Sequence, residues 1–124
     1  MLPMILDGAI KRYKGHGREL GYPTANIDTN TKLHDGVYFG FAELAHYSHH
    51  PALIFIGTPT TIGDKSRRVE AHLLGIPDID YYGHRLVLDI QHYHRANKKF
   101  GSINDLIVAI KSDEQAAQQW FAKS

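Results

Sequence analysis

The hydrophobic pattern of the chain changes period once. Up to about residue 95, apolar positions alternate with polar ones or form short unbroken runs; beyond it they recur at helical spacing. MILDGAIKR (4–12) reads as a first strand, with Gly8 as a bulge or a point of close backbone approach. GVYFGFAELAHY (36–47) is rich in aromatic and branched residues and reads as a long strand. HYSHHP (46–51) reads as a turn, and the nearly continuous apolar run ALIFIG (52–57) as a buried strand. TPTTIGDKS (58–66) is a loop punctuated by Pro and Gly. In RRVEAHLLG (67–75), Val69, Ala71 and Leu73 fall on one face and Arg68, Glu70 and His72 on the other. PDIDYYG (77–83) reads as a turn, and HRLVLDIQHYH (84–94) alternates again with Leu86, Leu88 and Ile90 together.

The last third predicts helix. Ser102 is a candidate N-cap with Asp105 three residues on, and Ile103, Leu106, Ile107 and Ile110 share a helical face. Ser112 with Gln115 repeats the start signal and predicts a second helix, whose Trp120 and Phe121 would dock on the body. Five or six short strands without intervening helices, followed by one or two helices, predict a mainly β fold in which an antiparallel sheet closes into a small barrel.

Composition narrows the function classes. The 124 residues suit a single domain, 1–124. A net charge of +1 gives no general electrostatic case for nucleic acid, and the pairs Arg67–Arg68 and Lys98–Lys99 read as solvated surface. The absence of cysteine removes disulfides, thiolate metal sites and thiol nucleophiles, and is compatible with the cytoplasm. The apolar opening MLPMIL is too short for a signal-peptide core or a membrane span.

The long irregular stretch 13–35 holds GHGRELGYPTANI (15–27). Gly15, Gly17 and Gly21 permit close approach of a ligand to the main chain, and Arg18 adds a permanent cation, which together suit phosphate. Pro23 biases Tyr22 to an extended conformation; if 23–27 is extended, Thr24 and Asn26 share a face and offer neutral oxygens of the kind Mg²⁺ takes. Spacing alone leaves open the plainer reading of tight turns with Thr24 and Asn26 bonding local backbone. Glu70 is a candidate acid or base beside His72, although strand glutamates are commonly just exposed. His92 and His94 fall on one strand face, and His46, His49 and His50 cluster in a turn; zinc is conceivable at such spacing, but a solvated surface is the better reading.

The run Gly17-Arg18-x-Leu20-Gly21-x-Pro23-Thr24-Ala25-Asn26 resembles the signature of riboflavin kinases, found alone or as the C-terminal module of bifunctional FAD synthetases. GVYFG (36–40), IGTPT (56–60), VEAHLLG (69–75), YYGHRLVLDI (81–90) and RANKKFGSINDLIVAIKSD (95–113) resemble further blocks of that family, in order. The resemblance implies a six-stranded antiparallel Greek-key β-barrel with C-terminal α-helices. It implies Mg²⁺- and ATP-dependent phosphorylation of riboflavin at the 5′-hydroxyl, giving FMN. Carried over by position, Gly15, Gly17, Arg18, Gly21 and Pro23 would form the nucleotide and phosphate loop, Thr24 and Asn26 would hold Mg²⁺ and phosphate, and Glu70 would be the general base. Arg95 and His72 would meet the flavin. The expected partners are small molecules, with no nucleic acid and no membrane, and the expected state is a free-standing cytoplasmic monomer with no nucleotidyltransferase module before it. The chain departs from the family pattern at Tyr13, where glycine is usual, at His16, at Phe55, where a small polar residue is usual, and at His94. The alternatives are a non-catalytic flavin- or nucleotide-binding module on the same barrel and, more weakly, a metal- or nucleic-acid-binding barrel.

Overall fold

A computed structural model describes residues 2–11, 24–28, 30–58, 67–76 and 81–123. The strands are β1 (Met4–Lys11), β2 (Ala25–Ile27), β3 (Gly36–Leu44), β4 (Tyr47–Gly57), β5 (Arg68–Leu73) and β6 (Arg85–Arg95); one helix, α1 (Ile103–Ala122), follows. Every pairing is antiparallel, and the strands close into a barrel in the order β1-β2-β5-β4-β3-β6. Within that circle β6 lies beside β3, next to the consecutive trio β3, β4 and β5, which is a Greek key. Closure leaves no free sheet edge.

Period-2 alternation fills the barrel. Leu6 and Ile10 of β1, Ala25 and Ile27 of β2, Ile54 and Ile56 of β4, Val69, Ala71 and Leu73 of β5, and Leu86, Leu88 and Ile90 of β6 form one buried interior. Ala25, Ala42, Ala52 and Ala71 keep that interior narrow. Gly40 is required where β3 meets β6, because a Cβ there would run into the Asp89 carbonyl oxygen and crowd Ile54.

A second apolar layer lies outside the barrel. Val37, Phe39 and Leu53 point outward and are buried under Ala117 of α1, with Phe55, Trp120 and Phe121 packed around them. This explains the unbroken run at 52–57: Ala52, Ile54 and Ile56 face the interior, while Leu53 and Phe55 face the helix. Trp120 and Phe121 dock on the body as expected, Trp120 within 6.0 Å of Phe39 and stacked on His92, Phe121 against Phe41.

Three readings of the pattern are corrected. The turn expected at 46–51 is only Ala45–His46, with Leu44 opposite Tyr47, and β4 already begins at Tyr47. The polar stretch that looked like a turn is a bulged strand start: Glu43 alone opposes Ser48 and His49, and its carboxylate accepts from both the Ser48 hydroxyl and the His49 N–H. The two expected helices are one. Ser102 caps it, its hydroxyl accepting from Asp105 N–H, but the helix runs on through Ser112 because buried Asp113 and Ala117 fasten its middle to the barrel. Arg67–Arg68 is solvated surface at Arg67 only. Arg67 donates to Asp35 and to the carbonyls of Thr31 and Leu33, and Arg68 is buried on β5.

Among the described residues, no helix is long and apolar enough to cross a membrane.

Candidate active site

The site is best built from the strand registers. Lys11 pairs with Asn26, Asn26 with Glu70, Glu70 with Phe55, Phe55 with Val37, and Val37 with Arg95. Directly opposed residues in a sheet point to the same face. The neighbours of Lys11, Asn26, Glu70 and Phe55 along each strand are interior residues, so the row faces outward. One line of side chains therefore crosses all six strands. At about 4.8 Å per strand, Glu70 lies about 5 Å from Asn26 and about 14 Å from Arg95 along the surface.

The register of β2 against β5 brings Thr24, Asn26 and Glu70 together. The Thr24 hydroxyl donates to Glu70 Oε1 at 3.2 Å across 46 residues of chain. That bond uses the hydroxyl proton and leaves the Thr24 oxygen lone pairs free to accept. Asn26 Oδ1 is buried and has no hydrogen-bond partner among the described residues. A buried amide oxygen without a donor costs about 1–3 kcal/mol, so an interior strand carries one only for a reason. With the Thr24 hydroxyl and the Glu70 carboxylate it forms a set of hard oxygen donors, the chemistry that suits Mg²⁺.

The outward face of β5 is not a solvent face. Arg68 and His72 are each only 5% exposed, and Glu70 between them is half-buried. His72 Nε2 lies 3.5 Å from Glu114 Oε2 of α1, so the helix covers this end of the row.

Arg95 closes the far end. Its Nε and Nη2 donate to Oδ1 and Oδ2 of Asp113 on α1 at 2.8 and 2.6 Å, and Nη1 donates to the Ala96 carbonyl at 3.1 Å. Asp113 was not a sequence-based candidate, and neither was Lys11, which register alone brings beside Asn26. Lys11 fell inside the strand read at 4–12 without a mark of its own, and the Arg95–Asp113 pair spans 18 residues and two element types and leaves no local pattern.

Gly15, Gly17, Arg18, Gly21 and Pro23, and with them Tyr13 and His16, lie outside the described residues. The histidine groups stay largely at the surface, with His46, His49 and His92 exposed and His50 and His94 half-buried. His92 stacks on Trp120, His94 on Phe39, and the His50 ring nitrogen lies 2.7 Å from the Leu74 carbonyl. Among the described residues no group of three or more His, Cys, Asp or Glu could hold a metal ion.

The described architecture is thus a closed Greek-key barrel with one row of side chains across its outer wall, polar at Lys11, Asn26, Glu70 and Arg95 and apolar at Phe55 and Val37, and a helix strapped over that wall. The sequence profile described as "Flavokinase: Riboflavin kinase" matches residues 1–121. The chain is 30% identical over 125 residues to human riboflavin kinase, covering 95% of this chain and 81% of that protein. It is 32% identical over 126 residues to the "Trifunctional protein RibF/MnmA" of Mycoplasmoides gallisepticum, of which it spans only 19%. The fold matches the crystal structure of riboflavin kinase from Trypanosoma brucei with a TM-score of 0.74 at 23% identity, over 99% of this chain and 82% of that one. The chain belongs to the riboflavin kinase family. Membership makes riboflavin kinase its enzyme class and supports phosphorylation of riboflavin to FMN.

Proposed function

We propose that the chain transfers the terminal phosphoryl group of ATP to the 5′-hydroxyl of riboflavin, with Glu70 as general base and Thr24 and Asn26 holding the magnesium ion that accompanies the nucleotide. The observation that carries this is the buried Asn26 Oδ1, without a hydrogen-bond partner among the described residues, one strand from a carboxylate already oriented by Thr24. When bound, Mg²⁺ supplies neutralisation of phosphate charge. Glu70 orients the primary alcohol and accepts its proton at a carboxylate oxygen as the new P–O bond forms and ADP departs. Half-burial against Phe55 keeps competing water from that carboxylate. Lys11, with its side chain beside Asn26, adds a cation at the phosphate end.

The glycine-rich segment with Gly15, Gly17, Arg18, Gly21 and Pro23 completes the phosphate side in this reading. Arg95 and His72 contribute to the flavin side, Arg95 through the Nη1–Nη2 edge that its fork onto Asp113 leaves open. The chain acts as one domain and a cytoplasmic monomer on small molecules, without nucleic-acid or membrane partners.

Phe55 favours a second reading, a non-catalytic flavin-binding module, because an aromatic ring stands beside the base. Incubation with riboflavin, Mg²⁺ and ATP or CTP, with FMN followed chromatographically, separates the two. FMN formation supports the kinase; riboflavin binding with no FMN from either nucleotide selects the binding module.

A further inference from the structure

Asp113 is a buried carboxylate with no part in the phosphoryl transfer described above. It is 2% exposed, on the middle of α1, and accepts from two nitrogens, Arg95 Nε at 2.8 Å and Arg95 Nη2 at 2.6 Å, with His94 Nε2 lying 3.2 Å from its Oδ1. A bulge explains why two consecutive residues reach one acceptor. Val37 pairs with Arg95, but its neighbour Tyr38 pairs with Tyr93, so His94 is an extra residue in β6. A bulge turns adjacent side chains toward one side of the sheet, and both His94 and Arg95 point outward to the helix.

The end of β4 fixes the chain beyond Arg95. Asn97 Nδ2 donates to the Ile56 carbonyl at 2.7 Å and abuts Gly57, whose φ of 149° and contact with Asn97 leave no room for a side chain. Arg95 Cζ lies 5.8 Å from the Phe100 ring centroid. The guanidinium is held on its Nε–Nη2 edge by Asp113 and at Nη1 by the Ala96 carbonyl, which fixes its plane at the β6 end of the row.

We propose that Asp113 is a positioning residue that aims Arg95 at the flavin end of the site. The fork sets the plane of the guanidinium, and that plane decides where its open edge can meet a riboflavin oxygen or ring nitrogen. The inference rests on the reading of Arg95 as a flavin contact.

The test measures riboflavin affinity by quenching of flavin fluorescence, ADP affinity separately, and thermal stability, for Asp113→Asn, Arg95→Ala and the double variant. Loss of one charged hydrogen bond predicts about a 10- to 100-fold loss of riboflavin affinity in each single variant. Asp113→Asn is expected to add nothing in the Arg95→Ala background, with ADP affinity unchanged throughout. Additive losses, or equal losses of riboflavin and ADP, would overturn the proposal and make Asp113 a helix fastener only. If Arg95→Ala binds riboflavin normally while Asp113→Asn does not, the flavin assignment of Arg95 fails and the proposal with it. Should Asp113→Asn not fold, Asp113→Glu keeps the charge but displaces the fork; wild-type riboflavin affinity in that variant would overturn the proposal, and a selective loss would support it.

Discussion

Replacing Asn26 by leucine separates function from stability in a way the structure makes quantitative. Asn26 Oδ1 is buried without a hydrogen-bond partner among the described residues, and the side chain sits mid-strand between Ala25 and Ile27, both buried in the barrel. Leucine has a similar volume, suits a strand better and carries no acceptor. The variant therefore sheds a desolvation cost of about 1–3 kcal/mol. For a domain of this size each kcal/mol moves the melting temperature by about 4 °C, so the ligand-free Asn26→Leu protein is expected to melt about 4–12 °C higher. The opposite is expected with ligand. Saturation with Mg-ADP at about 100 times its Kd stabilises a binding-competent chain by about 2.7 kcal/mol, or about 11 °C; the variant is expected to lose most of that shift. FMN formation is expected to fall by at least about 10²-fold, the usual worth of a preorganised charge-stabilising contact. Differential scanning fluorimetry with and without Mg-ADP, beside the FMN assay, gives all three quantities. A variant that melts lower than wild type, keeps the Mg-ADP shift and still makes FMN would refute the reasoning, because it would make Asn26 a structural residue with a partner.

Glu70→Gln keeps an oxygen to accept from Thr24 but cannot take a proton, so turnover is expected to drop about 10²–10⁴-fold while riboflavin binding survives; normal single-turnover FMN formation would remove Glu70 from the mechanism. Phe39→Ala empties a side chain that is 2% exposed and in ring contact with His92, His94, Trp120 and Phe121, and is expected to cost about 3–5 kcal/mol in urea denaturation, with proteolysis starting in α1. Burial, reinforced by Tyr93 and Asp35, raises the Tyr38 pKa above its ordinary 10.0, and its hydroxyl donates to the His34 carbonyl at 2.6 Å. A raised folded-state value means the folded chain holds this proton more tightly, so the contribution is complete below pH 10.0 and is lost as pH rises through the folded value. Tyr38→Phe is expected to lose about 1 kcal/mol at neutral pH and to show a shallower alkaline decline; identical alkaline profiles would count against the assignment.

Much of the barrel was legible because each strand buries one face in a common interior, and period 2 records that directly. Leu86, Leu88 and Ile90 appear as a stripe in the sequence and as a fully buried stripe in the structure. Legibility failed where a second layer intervened. His72 looks like the wet side of β5, but Glu114 of α1 lies over it, and a helix about 40 residues away leaves no trace in the local pattern. Ser112 looks like a new N-cap because its local chemistry is right, yet the tertiary anchors Asp113 and Ala117 outweigh a local signal worth about 1 kcal/mol. The site was partly legible for a related reason. Thr24 and Asn26 are two residues apart and share a face by period alone, whereas their meeting with Glu70 depends on β2–β5 register, which no local signal encodes.

Register also explains how a small barrel presents groups for both ends of a long substrate. Side chains drawn from positions 11, 26, 70, 55, 37 and 95 become neighbours in one row because each strand pair is locked by interior residues on either side of the row. A slip of one residue in any pair would send that member inward, exchanging it with a core side chain, so the hydrophobic interior enforces the order of the polar row. Arg95 is the test of this logic. Tyr93 shares the face of its partner Tyr38, edge-on at 5.2 Å, and simple alternation from Tyr93 would put Arg95 on that face as well. The extra residue His94 reverses the parity, brings Arg95 onto the outer wall and places both beside Asp113. The bulge is therefore part of the site: in a regular β6 His94 would oppose Val37 and Arg95 would fall on the other face, so the row would end in a histidine and Asp113 would lose its guanidinium.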